Sequence, residues 1–529
     1  MNLKQLKDME LTLFHYVIGA LALIMLIWNT VEVGRNDAAN IVNAVFGARV
    51  MTRRKAVWLA GIAVVVGAMA SSPVMETARK GIFDPTTLPG IDAAIAVYMG
   101  VYLTNTVMLY SFSAYGMPVS TTACLVFALL GSGLAIGGVD AINWDKSQTV
   151  ILGIICSIIV SGIAGFLIQR VFRGVVRDQC EDPKTISLHG PWMAGALMTG
   201  LVYFMLMKGM KNIAFVKAIK ASTLDVVGVP IALLLIWASL SFLTFLALKF
   251  LGQRFATRLF GSMAILGMIC TGIAFGQNDL ANCASPGLAI WMILSKGELA
   301  GKVAVPLFAL FGCGVLLLMG MTTRTAQRVT RAEVNTGSQG DLVRLYAPKW
   351  CVAVARVLVP KPGTDQALAP KTSVQDAAKL QHYDALRAAV ITSVTGSVIA
   401  VASGLGLPVS TTYVAFSAVV ATGWADKIFV RGDAALKMGR TIWVVFCWFF
   451  SAFIAAAVAG LAAKAIALWG LGGLALGLIV NMIIRYVMRK RADEHEVSMK
   501  EQAIIRKQKL AEASGRNDQF ASDEDEEAL

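Results

Sequence analysis

Apolar stretches long enough to cross a bilayer follow one another along nearly the whole chain, and that pattern leaves few folds open. A helix needs about 20 apolar residues to span the hydrocarbon layer. Such runs occupy residues 55–72, 91–113, 114–138, 147–171, 190–208, 226–250, 300–320, 386–405, 408–425, 440–465 and 467–488. Two further stretches, 12–49 and 260–295, are too long for one straight span and carry a polar cluster near the middle. Each is expected to be a broken or re-entrant helix that crosses once. Lipid offers no partners to backbone N–H and C=O groups, so a spanning segment must satisfy them internally. The expected fold is an all-α polytopic membrane protein with about 10–13 crossings. Charged residues are 15% of the chain against 57% hydrophobic. Soluble domains carry about 25% charged residues, so a water-soluble enzyme is excluded, and so is general disorder.

The net charge of +14 does not point to nucleic acid, because Lys and Arg cluster between the apolar runs. Basic loops stay on the cytoplasmic side. Arg49, Arg53, Arg54 and Lys55, then Arg170, Arg173 and Arg177, then Arg254 and Arg258, then Arg324, Arg328 and Arg331, and finally Arg485, Arg489, Lys490 and Arg491 alternate consistently with the N-terminus outside and the C-terminus inside. Lys208, Lys211, Lys217 and Lys220 fall outside in this scheme. The long first apolar run lacks a small-residue cleavage site and reads as a spanning helix rather than a removed signal peptide. The eight Cys show no CxxC pair, and the four His are isolated; buried hydrophobes are the reading for the former, and no metal cluster is expected.

Two motifs occur twice, in the same order. Residues 34–40 read GRNDAAN and residues 276–282 read GQNDLAN, both fitting G-x-N-D-x-A-N; PVSTT stands at 118–122 and again at 408–412. An internal duplication of roughly five crossings per half accounts for this. The expected division is a first transmembrane repeat at 1–180, linking helices at 181–259, and a second repeat at 260–321 and 386–488. A cytoplasmic hydrophilic insert at 322–385 interrupts the second repeat, and a charged, solvated tail follows at 489–529. An odd number of crossings per repeat inverts one half relative to the other. Inverted repeats with matching breaks are the architecture of alternating-access transporters, whose site lies near the bilayer midplane.

An Asp inside a span costs about 2.5–3.5 kcal/mol, and Asp37 and Asp279 each occupy such a position. Capping or ion pairing is the bland explanation for one. Two copies, flanked by Asn36 and Asn40 or by Asn278 and Asn282, favour a ring of oxygens for a hard cation such as Na⁺, or carboxylates that carry a proton. In PVSTT, Pro suits a helix start, and the first-turn amides have no intrahelical acceptor. Simple N-capping by Ser explains one copy. Two helix tips, bearing Ser120, Thr121, Thr122 and Ser410, Thr411, Thr412, form a donor-rich nest fit for a tetrahedral oxyanion. The combination predicts an anion moved together with Na⁺ or H⁺. Phosphate is favoured over sulfate because it keeps a proton to donate to a carboxylate, an argument that applies where Asp37 or Asp279 touches the substrate. Sulfate is the alternative within this class, and an anion channel is the alternative from another. No GxxxxGK[ST], HExxH or GxSxG motif is present, so neither an ATP-driven pump nor a membrane hydrolase is expected, and no cofactor is implied.

Over roughly residues 12–170 and 260–488 the motifs resemble those of the inorganic phosphate transporter (Pit) family, which has the G-x-N-D-x-A-N element in both halves and PVSTT-type segments downstream. The resemblance implies an inverted-repeat permease moving phosphate with Na⁺ or H⁺ as a homodimer, with a bacterial inner membrane as a compatible location. By position it implies cation coupling at Asp37, Asn40, Asp279 and Asn282, with Na⁺ candidates at Asp37 and Asp279. It implies a substrate site lined by Asn36, Asn278 and the two PVSTT segments. The chain departs from the family where His often follows the second Thr, having Ala123 and Tyr413. Arg35 stands inside the first motif where a small residue is common, and snorkelling or a structural ion pair is its expected role. Residues 56–72 lack the acidic residue many relatives carry, although Glu76 follows.

Overall fold

A computed structural model describes residues 13–71, 74, 81–177, 179, 182–209, 214–222, 224–296, 305–339, 343, 345–359, 382–430 and 433–514. The first half is α1 (Leu13–Gly47), α2 (Arg53–Ala68), α3 (Ile91–Ala114), α4 (Thr121–Gly137) and α5 (Trp144–Val176). Linking helices α6 (Pro183–Leu201), α7 (Ala214–Ser222) and α8 (Val229–Leu251) follow, with α6 continuing as a π-helical stretch over Val202–Gly209. The second half is α9 (Leu259–Lys296), α10 (Leu307–Met321), α11 (Arg324–Thr336), α12 (Lys349–Leu358), α13 (Ala385–Gly404), α14 (Thr411–Ala425) and α15 (Ala434–Trp469), and α16 (Leu471–Ser514) closes the chain.

Among the described residues eight helices, α1, α3, α5, α8, α9, α13, α15 and α16, are long and apolar enough to cross a membrane, or nine spans if the bent pair α10–α11 counts as one. The other expected crossings fall on α2, α4, α6, α10 and α14. Of these, α2, α4, α10 and α14 are 15 to 17 residues long, and α6 reaches 19 before its π-helical continuation.

The halves interlock reciprocally. α1 packs on α10 while α9 packs on α2, and α4 packs on α15 while α14 packs on α5. The leading glycine of each G-x-N-D-x-A-N motif makes the first of these exchanges possible. A Cβ on Gly34 would lie 2.0 Å from the Leu317 carbonyl oxygen, and one on Gly276 would lie 2.1 Å from that of Val64. Backbones approach this closely where the side chain is a hydrogen, as in packed membrane helices generally.

The helix discontinuities lie elsewhere than expected. Residues 12–49 and 260–295 are not broken at their polar clusters: α1 and α9 run as single helices of 35 and 38 residues. The motif side chains bond outward to other segments, so the i→i−4 ladder stays intact. The breaks fall at PVSTT instead. α3 and α13 end at Ala114 and Gly404, and Gly116 (φ 63°) and Gly406 (φ 71°) turn the chain. Pro118 and Pro408 follow in extended backbone before α4 and α14 begin. Left-handed backbone at both turns is what glycine permits.

The hydrophilic stretch that starts at 322 begins packed against the core. α11 bends 67° from α10 and packs on α1, with Thr330 and Glu333 buried. Amphipathic α12 packs on α15, while 360–381 lies outside the described residues, as do Glu76, Cys180 and Lys211. The tail is helical to Ser514, and Arg328 pairs with Asp493 and Glu496 of α16, both at 2.5 Å; its acidic end, 515–529, is outside the described residues. Arg173 of α5 clamps the second half by pairing with Asp426 at 2.9 Å and with Asp384, the N-cap of α13. Burial pushes the Asp384 carboxyl up, but Arg173, Gln339 and the Arg387 N–H together hold it below its ordinary range.

Candidate substrate and cation site

The continuous helices α1 and α9 bring their motifs to the centre of the molecule, where the two PVSTT turns meet them. Asp37 and Asp279 are 3% and 2% exposed and line one crevice with Val33, Gly34, Phe275 and Met321. The crevice holds about 10 Å³, the room of one water. In this conformation it is closed to an oxyanion.

Each motif Asn first pins the turn of its own half. Asn36 Nδ2 donates to the Val119 carbonyl at 2.6 Å and to Asp37 Oδ1 at 2.9 Å. Asn278 Nδ2 donates to the Val409 carbonyl at 2.8 Å and to Asp279 Oδ1 at 3.1 Å. The first Thr of each PVSTT then addresses the carboxylate of the same half. Thr121 donates to Asp37 Oδ2 at 3.3 Å, and Thr411 to Asp279 Oδ2 at 3.0 Å.

The last motif Asn joins the halves. Asn40 Nδ2 donates to Thr412 Oγ at 3.1 Å, and Asn282 Nδ2 donates to Thr122 Oγ at 2.8 Å and Thr121 Oγ at 3.2 Å. Thr122 in turn donates to the Val409 carbonyl at 2.8 Å, and Thr412 lies 3.2 Å from both the Val119 carbonyl and Asp37 Oδ1. Each amide also touches its own carboxylate: Asn40 Nδ2 reaches Asp37 at 3.3 Å, and Asn282 Nδ2 reaches Asp279 at 3.0 Å. With the amide nitrogens so engaged, Asn40 Oδ1 and Asn282 Oδ1 are buried without a donor among the described residues. Oxygens in that state, beside carboxylates, suit a hard cation.

Ser120 and Ser410 have a different job. Their hydroxyls accept the N–H of Ala123 at 2.9 Å and of Tyr413 at 3.1 Å, capping α4 and α14. The amides ahead of these, at the Thr positions, have no intrahelical acceptor, and the positive ends of both helices point into the site. All twelve residues singled out in the sequence are therefore gathered at one centre.

Arg35 is held away from the carboxylates. It forms two bonds with Glu32, at 2.7 and 2.9 Å, and Arg485 of α16 reaches the same Glu32 at 2.7 Å. Arg485 also stacks over Tyr110 and Trp28. Arg35 is thus part of a structural ion-pair network. Glu32, two residues before the motif and 1% exposed, was not singled out from the sequence, although an acidic residue in an apolar run was a signal for it. Tyr102 was likewise not apparent: its hydroxyl donates to the Cys283 carbonyl at 3.0 Å and accepts from Gly287 N at 2.7 Å, bridging the ladder where Pro286 interrupts α9.

A polytopic bundle with paired, buried Asn–Asp motifs and paired capped helix tips is the framework of an integral membrane permease. The profile of the phosphate transporter family matches residues 33–332 and 375–459, and the chain belongs to that family. It is a transport protein, not an enzyme. It is 28% identical over 452 residues to a protein of Pyrococcus horikoshii named as a candidate phosphate permease, covering 83% of this chain and 95% of that one. It is 24% identical to the chloroplastic inorganic phosphate transporter 2-1 of Arabidopsis thaliana, covering 80% and 70%. The fold matches that of a solved structure described as a sodium-dependent phosphate transporter, with TM-score 0.63, 21% identity, and coverage of 86% of this chain and all of the other.

Proposed function

We propose that the chain is a secondary active symporter that moves inorganic phosphate together with Na⁺ or H⁺ by alternating access, its two halves being inverted repeats. One observation carries this: two buried carboxylates line one crevice, and each accepts a hydroxyl from the first turn of a helix that starts at PVSTT. Asp37, Asn40, Asp279 and Asn282 offer carboxylate and unpartnered amide oxygens to the cation. Asn36, Asn278 and the turns at Ser120, Thr121, Thr122 and Ser410, Thr411, Thr412 offer donors and dipole ends to the anion. Cation and anion neutralise each other in a place too poor in water to hold either alone. The closed crevice requires the halves to move before phosphate enters, and reciprocal packing supplies two equivalent surfaces for that motion. Sodium dependence in a protein of the same fold favours Na⁺. A homodimer in a bacterial inner membrane completes the reading.

The test is radiolabelled phosphate uptake into proteoliposomes, with sulfate and arsenate as competitors and with Na⁺ and pH gradients imposed separately. Accumulation driven by one gradient, competed by arsenate and not by sulfate, is expected. Equilibration that responds to neither gradient would reduce the protein to a channel.

A further inference from the structure

Because α14 packs on α5 and α15 packs on α4, the consecutive helices α14 and α15 splay apart. A groove of about 440 Å³ lies between them, within the range of about 300–1,000 Å³ usual for small-molecule sites. Ile158 and Phe166 of α5, Phe416 and Trp424 of α14, and Val445 and Trp448 of α15 line it. The α5 surface beside it exposes Ile159, Ile163 and Leu167, as a helix facing lipid does. At one end Trp424 is 49% exposed, while at the other Trp448 is 5% exposed. The Trp448 ring stacks on Tyr413, centroids 4.0 Å apart, in the first turn of α14 beside Thr412. From Trp424 back to Phe416 the groove follows α14 for about 12 Å. That is most of the hydrocarbon depth of one leaflet, about 15 Å.

The end at Trp424 is basic. Arg170 stands one turn on from Phe166, on the same face of α5, and is exposed. Lys427, also exposed, follows the end of α14. These two are brought together where Gln169 Nε2 donates to Asp426 Oδ1 at 2.9 Å. Helix α12 reaches the same end, since its Ala355 packs with Ile428, Phe429 and Met438. It adds exposed Arg356 and turns Trp350, Val354, Val357 and Leu358 outward. An amphipathic helix with its apolar face bare lies in the plane of the headgroups, and Trp424 marks the same level. An apolar groove that opens among basic residues at headgroup level is complementary to a lipid with a negative head.

We propose that this groove binds an anionic phospholipid, one acyl chain lying between α14 and α15 and the headgroup meeting Arg170, Lys427 and Arg356. The chain would fill the space between two helices that do not fill it themselves. Through Trp448 and Tyr413 it would brace the tip of α14.

The experiment uses the full chain in detergent micelles, titrated with dioleoylphosphatidylglycerol in one arm and dioleoylphosphatidylcholine in the other, with bound lipid counted by native mass spectrometry. The anionic lipid is expected to bind about ten-fold more tightly, one molecule per chain. Ala421 also lines the groove, and Ala421→Phe, which puts a ring into it, should weaken both lipids about ten-fold. Replacing Arg170, Lys427 and Arg356 together by Gln should leave the two lipids binding alike. Should Ala421→Phe fail to insert, Val445→Phe takes its place. Equal affinity for the two lipids in unaltered protein would overturn the proposal, as would unchanged binding in the groove variant or an unchanged preference in the triple variant. Dimers that come apart in the groove variant would put a second copy of the chain in the groove and overturn it also. Phosphate uptake is not read, so this outcome stands apart from that of the transport reading.

Discussion

Asp37 in the first half receives hydroxyls from both sides of the molecule, Thr121 of its own half and Thr412 of the other. Asp279 in the second takes both of its hydroxyl contacts from Thr411. Around these two carboxylates the surroundings diverge further. α1 carries Glu32 and Arg35 one turn before the site and Asn43 one turn after it, whereas α9 carries Ala274 and Gln277, then Ser285 and Pro286. The recurring motifs keep the same donors and acceptors: Asn36 and Asn278 each hold the turn of their own half, and Asn40 and Asn282 each reach a Thr of the other. The flanks differ: Glu32 pairs with Arg35 and Arg485 beside the site on α1, while Pro286 stands inside α9.

The strongest probe of the equivalence is to neutralise each carboxylate in turn. Asp37→Asn and Asp279→Asn should each lower the initial rate of phosphate uptake by more than about 100-fold at matched protein content, since breaking a buried charged network costs about 3–5 kcal/mol. A loss confined to Asp37→Asn would break the comparison at its centre.

The next effect separates the halves. Thr412→Val removes the acceptor for Asn40 and a donor near Asp37, whereas Thr122→Val leaves Asn282 bonded to Thr121. An unpaired buried polar group costs about 1–3 kcal/mol. Thr412→Val should therefore weaken half-saturation by phosphate about ten-fold, and Thr122→Val by clearly less. Equal losses would show that the Asn282–Thr121 contact carries no weight.

Smaller still is the Tyr102 bridge beside Pro286. Tyr102→Phe leaves the Cys283 carbonyl and Gly287 N–H without their shared hydroxyl, and should lower stability by about 1–2 kcal/mol, read as a shift of thermal unfolding in detergent. The smallest effect is symmetric: Ser120→Ala and Ser410→Ala each remove one helix cap, about 1 kcal/mol apiece, and should shift unfolding equally. A fall in phosphate affinity in either, beyond that shift, would show the serine hydroxyl donating to the substrate while its oxygen caps the helix.

Much of this was legible in the residues. Run length and charge placement imply helices in lipid, and a motif pair repeated in order implies duplication. The chemical type of each motif residue limits it to cation oxygens or anion donors. The position of the breaks was not legible: a polar cluster in an apolar run reads as an interruption, yet Asn36, Asp37 and Asn40 leave the helix whole because their partners, Val119 and Thr412, lie far along the chain. The burial of Glu333 and its bond to Asn43 were hidden for a related reason. Glu333 sits in a stretch whose composition reads as solvated, and burial came from α1 and α15 folding over it.

What the sequence determined alone is therefore whatever depends on local composition and repetition: the solvent each segment prefers, the recurrence of two motifs in the same order, and the inventory of polar groups. Which Asn meets which Thr, that Arg35 answers to Glu32 and Arg485 rather than to the carboxylates, and that Asn43 finds Glu333 were decided by tertiary packing. Hydrogen bonds and ion pairs act over a few ångströms in space, and separation along the chain carries no information about that distance until the helices have docked.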